Sequence, residues 1–142
     1  MKKVKPVQIL LIILAVIVLI GVLIFVINPS KQLAKMRNDS RRSNAQNILN
    51  AAYQYAVDND GTLPASITES PKMICRLKAA SCDGLADLSE IVAQKKYISD
   101  IPIDPLEKNP NSSGYEIYKS SNGRINITAP KAENNATISL SK

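Results

Sequence analysis

Cys75 and Cys82 are the residues of this chain best placed for covalent chemistry. They are its only two cysteines, seven positions apart, in a stretch without helical or strand periodicity. An isolated close pair in a small exported domain reads as a disulfide; in a reducing compartment the same pair is two free thiols. Zinc fits poorly, because there is no histidine and no second cysteine pair. Without histidine, and with no activating group beside any serine, lysine or cysteine, no nucleophile–base pair assembles. Asp58, Asp60, Asp100 and Asp104 offer carboxylates, but not in the dense alternating order of a calcium loop, so turn and capping roles are expected of them. Asn111, Asn126 and Asn135 each open an Asn-x-Ser/Thr triplet, a pattern that recurs by chance and matters only in a glycosylating compartment. The expectation is a protein that is not an enzyme and uses no metal and no cofactor.

The elements that must position these residues begin with an apolar run. Ile9 to Ile27 is nineteen residues, seventeen of them Ile, Leu, Val or Phe, the others Ala15 and Gly21. At 1.5 Å per residue, Val7 to Ile27 covers about 30 Å, one hydrocarbon core. Transfer into a bilayer gains roughly 5 to 10 kcal/mol on an insertion scale. A cleaved signal peptide has a shorter apolar core and a small-x-small cut site, and Ile-Asn-Pro-Ser is a poor one. An uncleaved anchor is expected, with the lipid bilayer as its first partner.

Orientation draws on two opposed signals. Lys2, Lys3 and Lys5 precede the run, while Lys31, Lys35, Arg37, Arg41 and Arg42 follow it, and that count alone draws the C-terminal side toward the cytoplasm. The cysteine pair favours an oxidising compartment for the same side. The expectation is an N-terminus inside and the remaining domain outside, in a single-pass membrane protein. The net charge of +6 is juxtamembrane: residues 49–142 hold ten positive and eleven negative side chains. That distal balance carries no basic stripe of the kind nucleic acid requires.

Beyond the anchor, Ala45, Ile48, Leu49, Ala52 and Ala56 follow the i, i+3, i+4 spacing of one helical face. Asn38 to Asn44 (NDSRRSN) is wholly polar and is expected to face water, headgroups or neighbouring subunits. Pro29 is expected to kink the rod near Phe25. The helix should stop at Asp58-Asn59-Asp60-Gly61. The following stretch, Thr62 to Gly84, reads as irregular. A second helix is expected over about Leu85 to Lys96, with Leu88, Ile91 and Val92 inward. A hairpin follows, Gly114–Ser120 and Arg124–Ala129, turning on Asn122-Gly123; Ala136–Leu140 adds a further candidate strand. With no Trp and one Phe, inside the apolar run, the core must be small, and a disulfide and a long helix to pack on would both support it.

Three stretches resemble type IV pilins and type II secretion pseudopilins: INPSKQLAKMRNDSRRSNAQNILNAAYQYAVDNDGTLP (27–64), KKYISDIPIDP (95–105) and GYEIYKSSNGRINITA (114–129). The resemblance implies an α+β fold in which a long N-terminal helix, half transmembrane and half amphipathic, packs on a small antiparallel sheet. It divides the chain into a short basic tail (1–6), a transmembrane helix (7–28), its amphipathic continuation (29–60) and a globular head (61–142). It implies a structural subunit of a pilus or secretion filament whose partners are other pilin-like subunits or assembly-platform proteins. Members of the family are cut after a glycine that precedes a Phe-Thr-Leu-Ile-Glu type sequence; here Lys3 stands at the glycine's place and Gln8 at the glutamate's. Uncleaved, the chain has no new amine for a glutamate to neutralise, and an unpaired carboxylate there would cost a few kcal/mol in lipid. The expectation is an uncleaved chain. The alternative function is a monomeric, membrane-tethered binding module on the same fold.

Overall fold

A computed structural model describes residues 5–142. Most of the basic tail expected over 1–6, Lys2 and Lys3 included, lies outside the described residues. Two helices run nearly end to end: α1, Pro6–Ile27, and α2, Pro29–Asp58. Pro6 opens α1, and the Gln8 side-chain carbonyl accepts the Lys5 backbone N–H at 3.0 Å, satisfying one donor at the helix start.

The break in the rod sits at Asn28 rather than near Phe25. Asn28 takes a left-handed conformation (φ 44°, ψ 75°), and Pro29 becomes the first residue of α2. Proline is tolerated in a first turn, where its missing N–H has no partner to lose, while the residue before it is driven from the right-handed helical region. Asparagine accepts the left-handed state more readily than most residues. Its side chain accepts the Ser30 hydroxyl at 2.8 Å and the Lys31 N–H at 3.4 Å, capping the new helix.

At its other end α2 stops where expected. Asp60 has φ 54° and Gly61 φ 80°, and the Gly61 N–H reaches back to the Ala56 carbonyl at 2.8 Å, a Schellman closure.

The head is a four-stranded antiparallel sheet in the order β1 (Lys72–Cys75), β2 (Ser112–Lys119), β3 (Ile125–Thr128), β4 (Ser139–Ser141). Together with the long helix it makes an α+β fold, as expected. The hairpin β2–β3 pairs Ile117 with Ile127, and Ile127 with Leu140 of β4, so one apolar row crosses three strands. Tyr115, Ile117, Ile125 and Ile127 are all buried against α2. Period-two alternation thus lays its apolar face on the helix stripe.

Two expectations change. The stretch 62–84 is not wholly irregular, because Lys72–Cys75 forms the edge strand β1. Its register shifts between Met73 and Cys75, which leaves a four-residue strand without clean alternation. The second helix is one turn, α3 (Ser89–Val92), followed by a 3₁₀ turn over Ala93–Lys95. The residues before it are spent on the sheet: Ala86 exchanges backbone bonds with Met73 and Cys75 at 2.8 and 2.9 Å. Gln94 and Lys95, at φ 55° and 56°, end it early. Leu88, Ile91 and Val92 are buried as anticipated.

Candidate functional site

Two features of the rod could carry function, and each follows from how its residues are distributed. The first is the surface of α1. Every described side chain from Pro6 to Val26 is exposed, and almost all are large and apolar. Among the described residues this is the one helix long and apolar enough to cross a membrane. Gly21 leaves open space on that surface: a Cβ there would meet nothing within 4 Å beyond its neighbours and the backbone of its own helix.

The second feature is where α2 meets the head. The buried residues Ala34, Asn38, Arg41, Ala45, Ile48 and Ala52 are spaced four, three, four, three and four apart, a heptad stripe along one face. The expected members Ala45, Ile48, Leu49 and Ala52 are buried; Ala56 is only half-buried, and Ala51 joins the stripe. The stripe also continues toward α1 through Arg41 and Asn38. This corrects the expectation that NDSRRSN lies wholly on solvent, headgroups or neighbours. Asp39 and Arg42 do face outward, but Arg41 is fully buried.

Burying a guanidinium is costly unless every donor finds a partner. Arg41 finds them in three separate segments. Its Nε donates to Asp104 Oδ2 at 2.6 Å and its Nη2 to Oδ1 at 3.1 Å, a bidentate fork. Its Nη1 donates to Asn38 Oδ1 and to Glu133 Oε2, both at 2.8 Å. Arg37 grips the same Glu133 carboxylate through Nε at 2.7 Å and Nη2 at 2.5 Å. Asn38 clips the Glu133 backbone, donating to its carbonyl at 2.7 Å and accepting its N–H at 2.9 Å. Two cations face two anions, so the knot is neutral. No buried side-chain nitrogen or oxygen among the described residues lacks a partner.

The electrostatics follow the geometry. The Arg37 and Arg41 guanidiniums hold the Glu133 carboxyl down to about 2. The Asp104 carboxylate holds Arg41 above its ordinary value, against the pull of burial. Asp104 is itself fixed by the turn that follows it. Its Oδ1 accepts the Leu106 N–H at 2.8 Å, and its backbone N–H donates to Ser113 at 2.8 Å. Gly114, at φ 86°, lets that turn pack against β2: a Cβ there would lie 2.7 Å from the Asp104 Cβ.

Asp104 thus keeps its expected turn role and adds a buried ion pair. Asp58 accepts from Lys96 at 2.8 Å and from the Tyr97 hydroxyl at 3.1 Å, which lowers its pKa. Tyr97 meets Tyr55 edge-on at 5.6 Å, and the Tyr55 hydroxyl donates to Glu90 at 2.6 Å. Tyr53 is exposed, with the Lys142 ammonium 4.3 Å from its ring centroid, whereas Tyr55 is half-buried against the edge of the core. Among the described residues no three Cys, Asp or Glu side chains gather as metal ligands do.

Cys75 and Cys82 are joined in a disulfide that ties the end of β1 to the loop after it. Asn38, Arg41, Asp104 and Glu133 were not foreseen as a unit. The available signal was register: positions 38 and 41 continue the step of 45, 48 and 52, and a charge on a buried register demands a counter-charge. No protein-family model matches this chain, and no curated protein or solved structure does either.

Proposed function

We propose that this chain is a membrane-anchored, pilin-like structural subunit of a filament of the type IV pilus or type II secretion kind, its N-terminus cytoplasmic and its head outside. The observation that carries the reading is the exposed apolar surface of α1 from Pro6 to Val26. The head contributes nothing to cover it, so its cover comes from lipid, from like helices, or from each in turn. A neutral, fully bonded knot holds the head rigidly on the continuation of that same helix, which suits a subunit whose anchor must transmit position to its head. The Cys75–Cys82 disulfide supports a head in an oxidising compartment.

A photo-activated cross-linker placed at Leu14, within α1, tests the reading in intact membranes. A filament subunit gives same-chain adducts in a ladder of increasing mass. Adducts to lipid alone would replace the filament with a second reading, a tethered monomer. The specific observation favouring that alternative is an open groove of about 730 Å³ beside α2, between Asn47, Asn50 and Gln54 and the Tyr97–Ile103 segment.

A further inference from the structure

The membrane-proximal half of α2 carries a second polar surface, which borders the knot at Asn38. Lys31, Lys35 and Arg42 lie four and seven positions apart, on one side of the helix. With the loop at Asn134 they line a concavity of about 410 Å³. The Asn134 amide donates to the Lys31 carbonyl at 3.3 Å and holds that wall in place. Asn134 and Asn135, at φ 56° and 55°, turn the chain sharply there. The groove's one carboxylate, Asp39, is taken by Arg42 at 3.2 Å. Lys31 and Lys35 make no ion pair among the described residues and are exposed. The foot of the groove is therefore positive, and its two free ammoniums sit just past the apolar helix.

Their height decides what can occupy it. Counted from Pro29 at 1.5 Å per residue, Lys31 stands about 3 Å and Lys35 about 9 Å above the start of α2, while Arg42 stands about 20 Å above it. The polar layer of one leaflet is roughly 5 to 8 Å deep, so Lys31 lies within it, Lys35 lies at its outer edge and Arg42 clears it. We propose that this foot is a docking groove for the anionic phosphate headgroups of the surrounding bilayer, seated between Lys31 and Lys35. The proposal rests on insertion of α1, as in the function proposed above. It adds a lipid preference that fixes the height of the head over the surface.

The test uses the full chain in nanodiscs of phosphatidylcholine, with and without phosphatidylglycerol, with amine acylation read by peptide mass spectrometry. Lys31 and Lys35 should each become about fivefold less reactive in the anionic bilayer. Lys72 and Lys119, on the sheet, should not change. Inorganic phosphate added to phosphatidylcholine discs should leave all four unchanged; protection by phosphate alone would make the site one for soluble anions and overturn the lipid assignment. The K31Q/K35Q double variant should lose preferential retention of phosphatidylglycerol on detergent extraction, whereas R42Q should keep it. Insertion with equal lysine labelling in both bilayers overturns the groove and leaves the anchor standing. Failure to enter nanodiscs at all overturns both.

Discussion

Arg41 shows how one side chain can reverse the meaning of a segment. NDSRRSN is polar throughout, and polarity alone assigns it to solvent. Yet Arg41 lies in register with Ala45, Ile48 and Ala52, and it is buried because Asp104 and Glu133 meet it there. Removing one partner of a buried pair costs about 3–5 kcal/mol, since the remaining charges are stranded. Arg41→Asp would also set a third carboxylate against two. Near-UV circular dichroism melts of the detergent-solubilised chain report on the head and the part of α2 beneath it, where the five tyrosines lie. Arg41→Asp and Ile48→Asp should both abolish the cooperative melt, while Asp39→Asn, on the outward face, should leave it unchanged. A folded Arg41→Asp would show that the knot is dispensable. Glu133 adds a pH signature. Its folded pKa is depressed to about 2 from an ordinary 4.5, so its contribution is complete above the ordinary value and fades as pH falls toward 2. The melting temperatures of the wild type and Glu133→Gln should differ most above about pH 5 and converge toward pH 2. A gap that stays constant across that window would remove the carboxylate from the account.

Elements were legible where their pattern is self-sufficient. The apolar run, the end of α2 at Asn59–Gly61 and the β2–β3 hairpin each carry periodicity or turn chemistry within their own residues. Those that depend on a partner were not. β1 is four residues with a register shift, and it is a strand because β2 and Ala86 pair with it on either side. The helix expected over Leu85–Lys96 shrank because its first residues were claimed by that pairing. The kink moved because proline acts on the residue before it when it can itself start a helix. The disulfide joins the two worlds: its cysteines are obvious in the sequence, and their pairing secures the element the sequence hides. Closing so short a loop contributes about 2 kcal/mol. Reduction, or Cys82→Ser, should therefore expose the β1 end first, seen as faster amide exchange at Ile74 and Cys75 while the Ile117 and Ile127 amides stay protected. Uniform acceleration across the sheet would mean that β1 is integral to the core rather than a secured edge.

At the scale of the molecule, the knot sits between α1 and the core of the head. Asn38 and Arg41 are bound to residues 104 and 133, far along the chain, so one short patch of helix gathers two distant segments. Sequence reading found the rod and the sheet but not this clasp, since nothing local in Asp104 or Glu133 names its partner. The clasp matters most under load. A force drawn along α1 meets Asn28 first, the single residue between the two helices. It then meets the clasp, where the Arg41 fork and the Asn38 clip carry tension in parallel ahead of the apolar packing. Pulling on α1 therefore loads the polar bonds to residues 104 and 133 before it loads the apolar core.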